Sequence, residues 1–294
     1  MTEKSVKVIC IGQALVDCIV RGKEPYRENV DIAEEIILNT GGDALNESWV
    51  LETLGCHTKL ICGVGQDPAG DLVLKKARSH GVDVSGVVQS ERLTTPIASL
   101  TVDKNGGRRS CNSRATMLDG FLPELEVPDG VRVVSLASLF RAPLDRKDTV
   151  IRLVRKAKDA GAVVCADTKI PTFRQMSLFD LSEILPVIDY LFPNEKEAQY
   201  LTGKKDYMEM AEELCRRGIQ NVIVKTGSEG CTVCGRTKRF HMPAEKVEAV
   251  DSTGAGDSFV AGFISGIVAG DSLEGCCSCG IRCAADCVQR MGAV

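Results

Sequence analysis

The sequence has no excess of positive charge: 36 Lys and Arg stand against 40 Asp and Glu, a formal net charge of −4. No overall basic field draws the chain to nucleic acid or to an anionic membrane, so neither is expected as a partner, and any phosphate must be held locally. Aromatic residues are few as well, 4% with a single Trp, which leaves few rings for stacking a nucleoside base. Apolar runs are short or broken by Gly and Ser, well under the roughly 20 residues that a membrane span needs. The opening MTEKSVKVICIG lacks the charged, apolar and small-residue succession of a secretory signal, and a cytosolic location is expected.

What is present suits a large globular unit. With 294 residues, 44% hydrophobic and 26% charged, the chain fits one α/β domain with an appendage. Fourteen cysteines are expected to stay reduced in a long chain without an export signal. Cys276, Cys279, Cys283 and Cys287 step by three and four, which puts them on one helix face as small packing residues rather than cluster ligands. Cys231 and Cys234 form a CxxC inside CTVCGRTKRF, which alternates like strands, and no second CxxC at zinc-ribbon spacing follows.

Periodicity gives alternating units. VKVICIG, TKLICGVG, VRVVSLA, AVVCADT, VIDYLFP and NVIVKTG read as strands, separated by helical stretches such as ALNESWVLETLG, AGDLVLKKARSHG, DTVIRLVRKAKDAG and YMEMAEELCRRG. Alternation of this kind predicts a mostly parallel sheet with helices on both faces. Two β-rich stretches break the rhythm, residues 13–40 and 94–112, the second containing the hairpin dipeptide Asn105-Gly106. Paired, they would make a small sheet over the main one, a lid for an active site; surface decoration is the competing reading. The expected organisation is a main α/β domain of residues 1–12, 41–93 and 113–294, with 13–40 and 94–112 as lid.

The stretch VEAVDSTGAGDSFVAGFISGIVAG, Val247 to Gly270, poses an electrostatic puzzle. A glycine-rich turn opening onto an apolar helix looks like a phosphate seat, yet it is bracketed by Asp251 and Asp257. It is not a P-loop, since the nearest approach, Gly230 to Thr237, lacks the Lys. Nor is it a dinucleotide fingerprint, because Phe259 occupies the third glycine place. Amides at Gly254, Ala255 and Gly256, free of bulky side chains at a helix mouth, would hold a phosphoryl group in flight. Asp257, one step beyond, would accept the proton of the attacking hydroxyl. The alternative is that Asp251, Ser252 and Thr253 cap a helix and Asp257 favours its dipole.

Four ordered stretches carry a resemblance. DSTGAGDSFVAGF resembles the C-terminal signature of the ribokinase-like (PfkB) carbohydrate kinases, and GGDALNESWVLETLGCHTKLICGVGQDPAGD resembles their N-terminal one. FPNEKEAQYLTG and VIVKTGSEG are similar to the two nucleotide-site motifs between them, and the likeness runs to Gly292-Ala293. It implies a central parallel sheet flanked by helices with a β-sheet lid, and transfer of the γ-phosphate of ATP to a sugar hydroxyl. On this resemblance Asp257 is the base, and Gly254, Ala255 and Gly256 are the anion hole. Asp251 lies near a monovalent cation site, K⁺ in many members. Asp17, Gly42 and Asn46 match sugar-binding positions, as a carboxylate and an amide suit a polyol; as residues alone, Asp17 also reads as a turn Asp and Asn46 as a helix-start Asn. Asn194 and Glu197 would orient hydrated Mg²⁺ and ATP phosphates, although Asn followed three later by Glu is also a capping box. Lys225, Thr226, Gly227 and Gly230 end a strand where a nucleotide would settle. Lid sheets in many relatives pair across a homodimer.

Departures from the family pattern bear on the substrate. Members acting on fructose or keto-deoxy sugar acids often show D-x-N-x-R; ADTKIPTF offers Asp167 and Lys169, the latter a substrate-binding candidate, but Pro171 replaces the Arg. A small neutral sugar is therefore expected, with a nucleoside kinase as the alternative and a catalytically silent ligand sensor as the third reading. Arg108, Arg109 and Arg114 in the lid would reach substrate or stay solvated.

Overall fold

A computed structural model describes residues 5–104, 108–290 and 292; the expected Asn105-Gly106 turn and Ala293 lie outside the described residues. The centre is an eight-stranded sheet. Six strands run parallel in the order Thr58–Ile61, Val8–Ile11, Val133–Leu139, Val163–Thr168, Tyr190–Phe192 and Asn221–Lys225, followed by antiparallel Cys231–Gly235 and Arg239–Met242. Strand order reverses beside Val8–Ile11, and ligands settle outside the carboxyl ends of strands at such a switch point.

Strand alternation divides the core between two helix layers. Ile9 and Ile11 face α3 (Lys147–Asp159), α4 (Glu195–Thr202) and α5 (Tyr207–Arg216), whose Val150, Leu153, Ala198 and Leu214 are buried there. Val8 and Cys10 face the opposite way, toward α1 (Asp43–Thr53), α2 (Pro68–Ser79), α6 (Ala255–Ala269) and α7 (Leu273–Val288). Helix α6 packs closely on α7 because its facing positions are glycine: a Cβ on Gly262 would meet Cys283 and the Cys279 carbonyl, and one on Gly266 would meet Cys276. The cysteine face read from the three-and-four steps is thus a packing seam, and none of the fourteen cysteines is in a disulfide. Among the described residues no three His, Cys, Asp or Glu side chains gather as metal ligands, and no helix is long and apolar enough to cross a membrane.

A separate five-stranded sheet holds the β-rich stretches. Leu15–Arg27 pairs antiparallel with Val30–Ile32 and Glu35–Gly41 and parallel with Ile97–Asp103, which pairs with Arg108–Asn112. One expected strand is divided. TKLICGVG supplies Thr58–Ile61 to the main sheet and Gly63–Gly65 to a two-stranded pairing with Val88–Ser90.

Candidate active site

Helix α6 opens at Gly254, which takes φ 77°, a left-handed conformation that suits glycine. Its first turn therefore begins abruptly, and Asp257 is carried inward to 5% exposure. Asn46, one turn into α1 and equally buried, donates from Nδ2 to Asp257 Oδ2 at 2.7 Å. Burial pushes the Asp257 carboxyl up to about 7, with the Asp43 charge adding to the rise and Lys169 and the Asn46 hydrogen bond opposing it. A carboxyl poised there exchanges protons readily at neutral pH, as a general base must.

Two clefts meet at this helix mouth. The first, about 510 Å³, is walled by Asp17, Asp43, Asn46, Lys169 and Asp257. The second, about 350 Å³, is bounded by apolar Val247, Ala249, Phe259, Ile281, Ala285 and Val288, a slot suited to a planar base. Lys225, Gly227, Ser252, Ala255 and Gly256 border both. A Cβ placed on Gly256 would lie 3.4 Å from Lys225 Nζ, so the ammonium stands against the open helix end, and cation and helix dipole reinforce each other for an anion.

Almost every expected site residue lies along these walls. Gly254, Ala255, Gly256, Asp17, Gly42, Lys169, Asn194, Lys225 and Gly227 border the first cleft, and Gly230 the second. Gly42 adopts φ 99°, where a Cβ would strike the Gln13 carbonyl; its glycine lets two chain segments pass. Burial and the neighbouring Asp43 push the Asp17 carboxyl up to about 6. Asn194 and Glu197 do form the capping box at the start of α4: the Glu197 amide donates to Asn194 Oδ1 and the Asn194 amide to Glu197 Oε2, each at 2.9 Å. Glu197 is buried behind Asn194, where Thr168 Oγ1 also donates to it at 3.0 Å.

Four of the residues singled out in the sequence sit elsewhere. Thr226 is 3% exposed and borders neither cleft, its Oγ1 enclosed without a partner among the described residues. Asp251 lies beyond the cleft, where Oδ1 accepts from the Thr253 amide at 3.0 Å and hydroxyl at 2.7 Å, and Oδ2 from the Gly292 amide at 3.1 Å. Arg109 and Arg114 are exposed and border neither cleft.

Sequence reasoning missed Asp43 and the apolar slot, and named Asp167 only beside Lys169 in ADTKIPTF without a role in the site. Asp43 lies in the first cleft 3.3 Å from Lys169 Nζ, and buried Asp167 accepts from Lys225 Nζ at 2.7 Å. Asp43 was visible inside GGDALN, but the first turn of a helix takes an acid for its dipole alone, so nothing local marked it. The slot draws on α7 and the 244–249 segment, which lie outside the four motif stretches.

Residues 5–294 match the pfkB family of carbohydrate kinases. An uncharacterised sugar kinase of Archaeoglobus fulgidus is 30% identical over 83% of this chain and 96% of its own length. An ATP-dependent ribose-1-phosphate kinase of Halopiger xanaduensis is 31% identical over 86% of this chain and 81% of its own. In structure, a putative ribokinase II from E. coli in complex with ATP and Mg²⁺ superposes with a TM-score of 0.80 at 25% identity, covering 98% of this chain and 94% of that one. The chain belongs to the pfkB family of carbohydrate kinases, ATP-dependent phosphotransferases of the ribokinase fold.

Proposed function

We propose that this kinase transfers the γ-phosphate of ATP to a hydroxyl of a small neutral sugar, with Asp257 as general base. The carrying observation is the junction of the two clefts: a polar one holding Asp257 and an apolar one suited to adenine share Ala255 and Gly256 at the helix mouth and Lys225. ATP supplies the electrophilic phosphorus and the leaving group. On the protein side, Asp257 takes the proton of the sugar hydroxyl, and Asn46 holds its carboxylate in place. Backbone amides at the mouth of α6 and the Lys225 ammonium receive negative charge as it moves among the phosphoryl oxygens. Asp17 and Asn46 orient the polyol through its other hydroxyls.

The donors present fit Mg²⁺ bound with the nucleotide. Asn194 at the cleft wall, backed by Glu197, offers the sparse oxygen set that this ion accepts when phosphates and water complete its shell. Asp251, tied to Thr253 and Gly292 close to the same helix mouth, is the residue we assign to a monovalent cation, K⁺ by family analogy. The five-stranded sheet, residues 13–40 and 94–112, acts as a lid, since Leu15 and Asp17 of that sheet border the acceptor cleft. Its exposed Ile36, Leu38 and Ile97 support pairing with a second copy. A sugar is preferred to a nucleoside because the described residues of the acceptor cleft include no aromatic side chain. The test is ADP release from MgATP with a panel of neutral sugars, sugar acids and nucleosides. Turnover confined to nucleosides would reverse the assignment, and ligand binding without ADP would make the protein a sensor.

A further inference from the structure

The acceptor cleft carries a charge arrangement that phosphoryl transfer does not require. Lys169 and Lys225 are its two ammonium groups among the described residues, and both are held, Lys225 by Asp167 at 2.7 Å and Lys169 by Asp43 at 3.3 Å. Against them stand the carboxyls of Asp17, Asp43 and Asp257. A polar ligand is still called for, because Asn46, 95% buried at this wall, has an enclosed Oδ1 with no partner among the described residues.

Asp43 is held firmly where it stands. It occupies the first turn of α1, where the helix dipole favours an acid. Ser138 Oγ donates to its Oδ2, and Ser138 itself has φ 77°, beside a register shift between Leu136 and Leu139. A non-glycine residue in the left-handed region is an uncommon backbone cost; here it aims a hydroxyl at Asp43. The dipole alone would not need Ser138 and Lys169 to converge on one carboxylate.

We propose that Asp43 is the specificity-determining residue of the acceptor cleft: by holding Lys169 in the wall that Asp17 also lines, it turns away sugars bearing a carboxylate or phosphate and leaves the site to neutral polyols. The inference rests on the sugar-kinase reading and deepens it. An anionic substrate entering a partly buried site needs a cation or donor of its own, and both ammonium groups are already engaged. Like charges a few ångströms apart in this setting weaken binding by well over tenfold.

The test uses matched probes differing by one anionic group, sorbitol against gluconate and ribose against ribose 5-phosphate, with binding measured by calorimetry and turnover by ADP release. The wild type is expected to favour the neutral member of each pair at least tenfold. Asp43→Asn removes one negative charge and frees Lys169, so the anionic-to-neutral affinity ratio should rise about ten- to a hundredfold. Adding Lys169→Met to that variant should reverse most of the rise, while Lys169→Met alone should move the ratio the other way. Should Asp43→Asn fail to fold, the single Lys169→Met variant carries the test by its opposite sign. Equal wild-type affinity within the pairs, no neutral member bound, or a ratio unmoved by Asp43→Asn would overturn the proposal. Selective binding without ADP from any sugar would support it and remove the kinase reading instead.

Discussion

Replacing Asp257 by Asn should cost activity and gain stability, and the gain should depend on pH. The folded carboxyl titrates near 7 against an ordinary 3.8, because burial and Asp43 oppose its charge. Between those values the folded chain keeps a proton that the unfolded chain has released, so stability falls as pH rises from about 4 to 7 and levels off above. Three decades of proton affinity correspond to roughly 4 kcal/mol at most. Asn has no charge to lose. Thermal unfolding of Asp257→Asn and wild type should coincide near pH 4 and separate by several degrees near pH 8, at about 2 °C per kcal/mol for a chain of this size. Meanwhile kcat should drop about 10²- to 10⁴-fold, the usual contribution of a positioned base. A constant difference in Tm across that range would refute the burial argument, and a wild-type rate would remove Asp257 as the base.

Other outcomes follow from single contacts. Asn46→Ala removes the amide that lowers the Asp257 carboxyl, so the acidic limb of the pH–rate profile should move to higher pH and sugar KM should rise; an unchanged limb would refute the coupling. Gly41→Ala places a Cβ against the Asp17 carboxylate and should raise sugar KM about tenfold with little change in KM for ATP. Gly262→Val crowds Cys283 and the Cys279 carbonyl and should lower Tm by the equivalent of about 1–3 kcal/mol. Replacing K⁺ by Li⁺ in the assay should slow turnover if Asp251 serves a monovalent cation, whereas equal rates would dismiss that assignment.

The parallel sheet was legible because buried strands such as VKVICIG are short continuous apolar runs punctuated by glycine, and the helices between them keep a 3.6 period. The second sheet was legible from strand patterns without intervening helices. The division of TKLICGVG was not, since Ile61 and Val64 are both fully apolar and the break at Cys62 has no Gly-Pro or Asn-Gly signal. In the site, glycine spacing located the helix mouth, but the direction of Thr226 depends on the turn that its amide closes with the Gly230 carbonyl. Pairs such as Asn46 with Asp257, 211 residues apart, arise only when α1 and α6 are brought together on one face of the sheet.

The candidate catalytic surface is assembled from segments scattered between Gln13 and Asp257, none of which holds a complete set of groups. Turnover is therefore an all-or-none property of the assembled sheet. Loss of rate in rising denaturant should track the cooperative transition itself, and complementary fragments should regain activity only on reassociating.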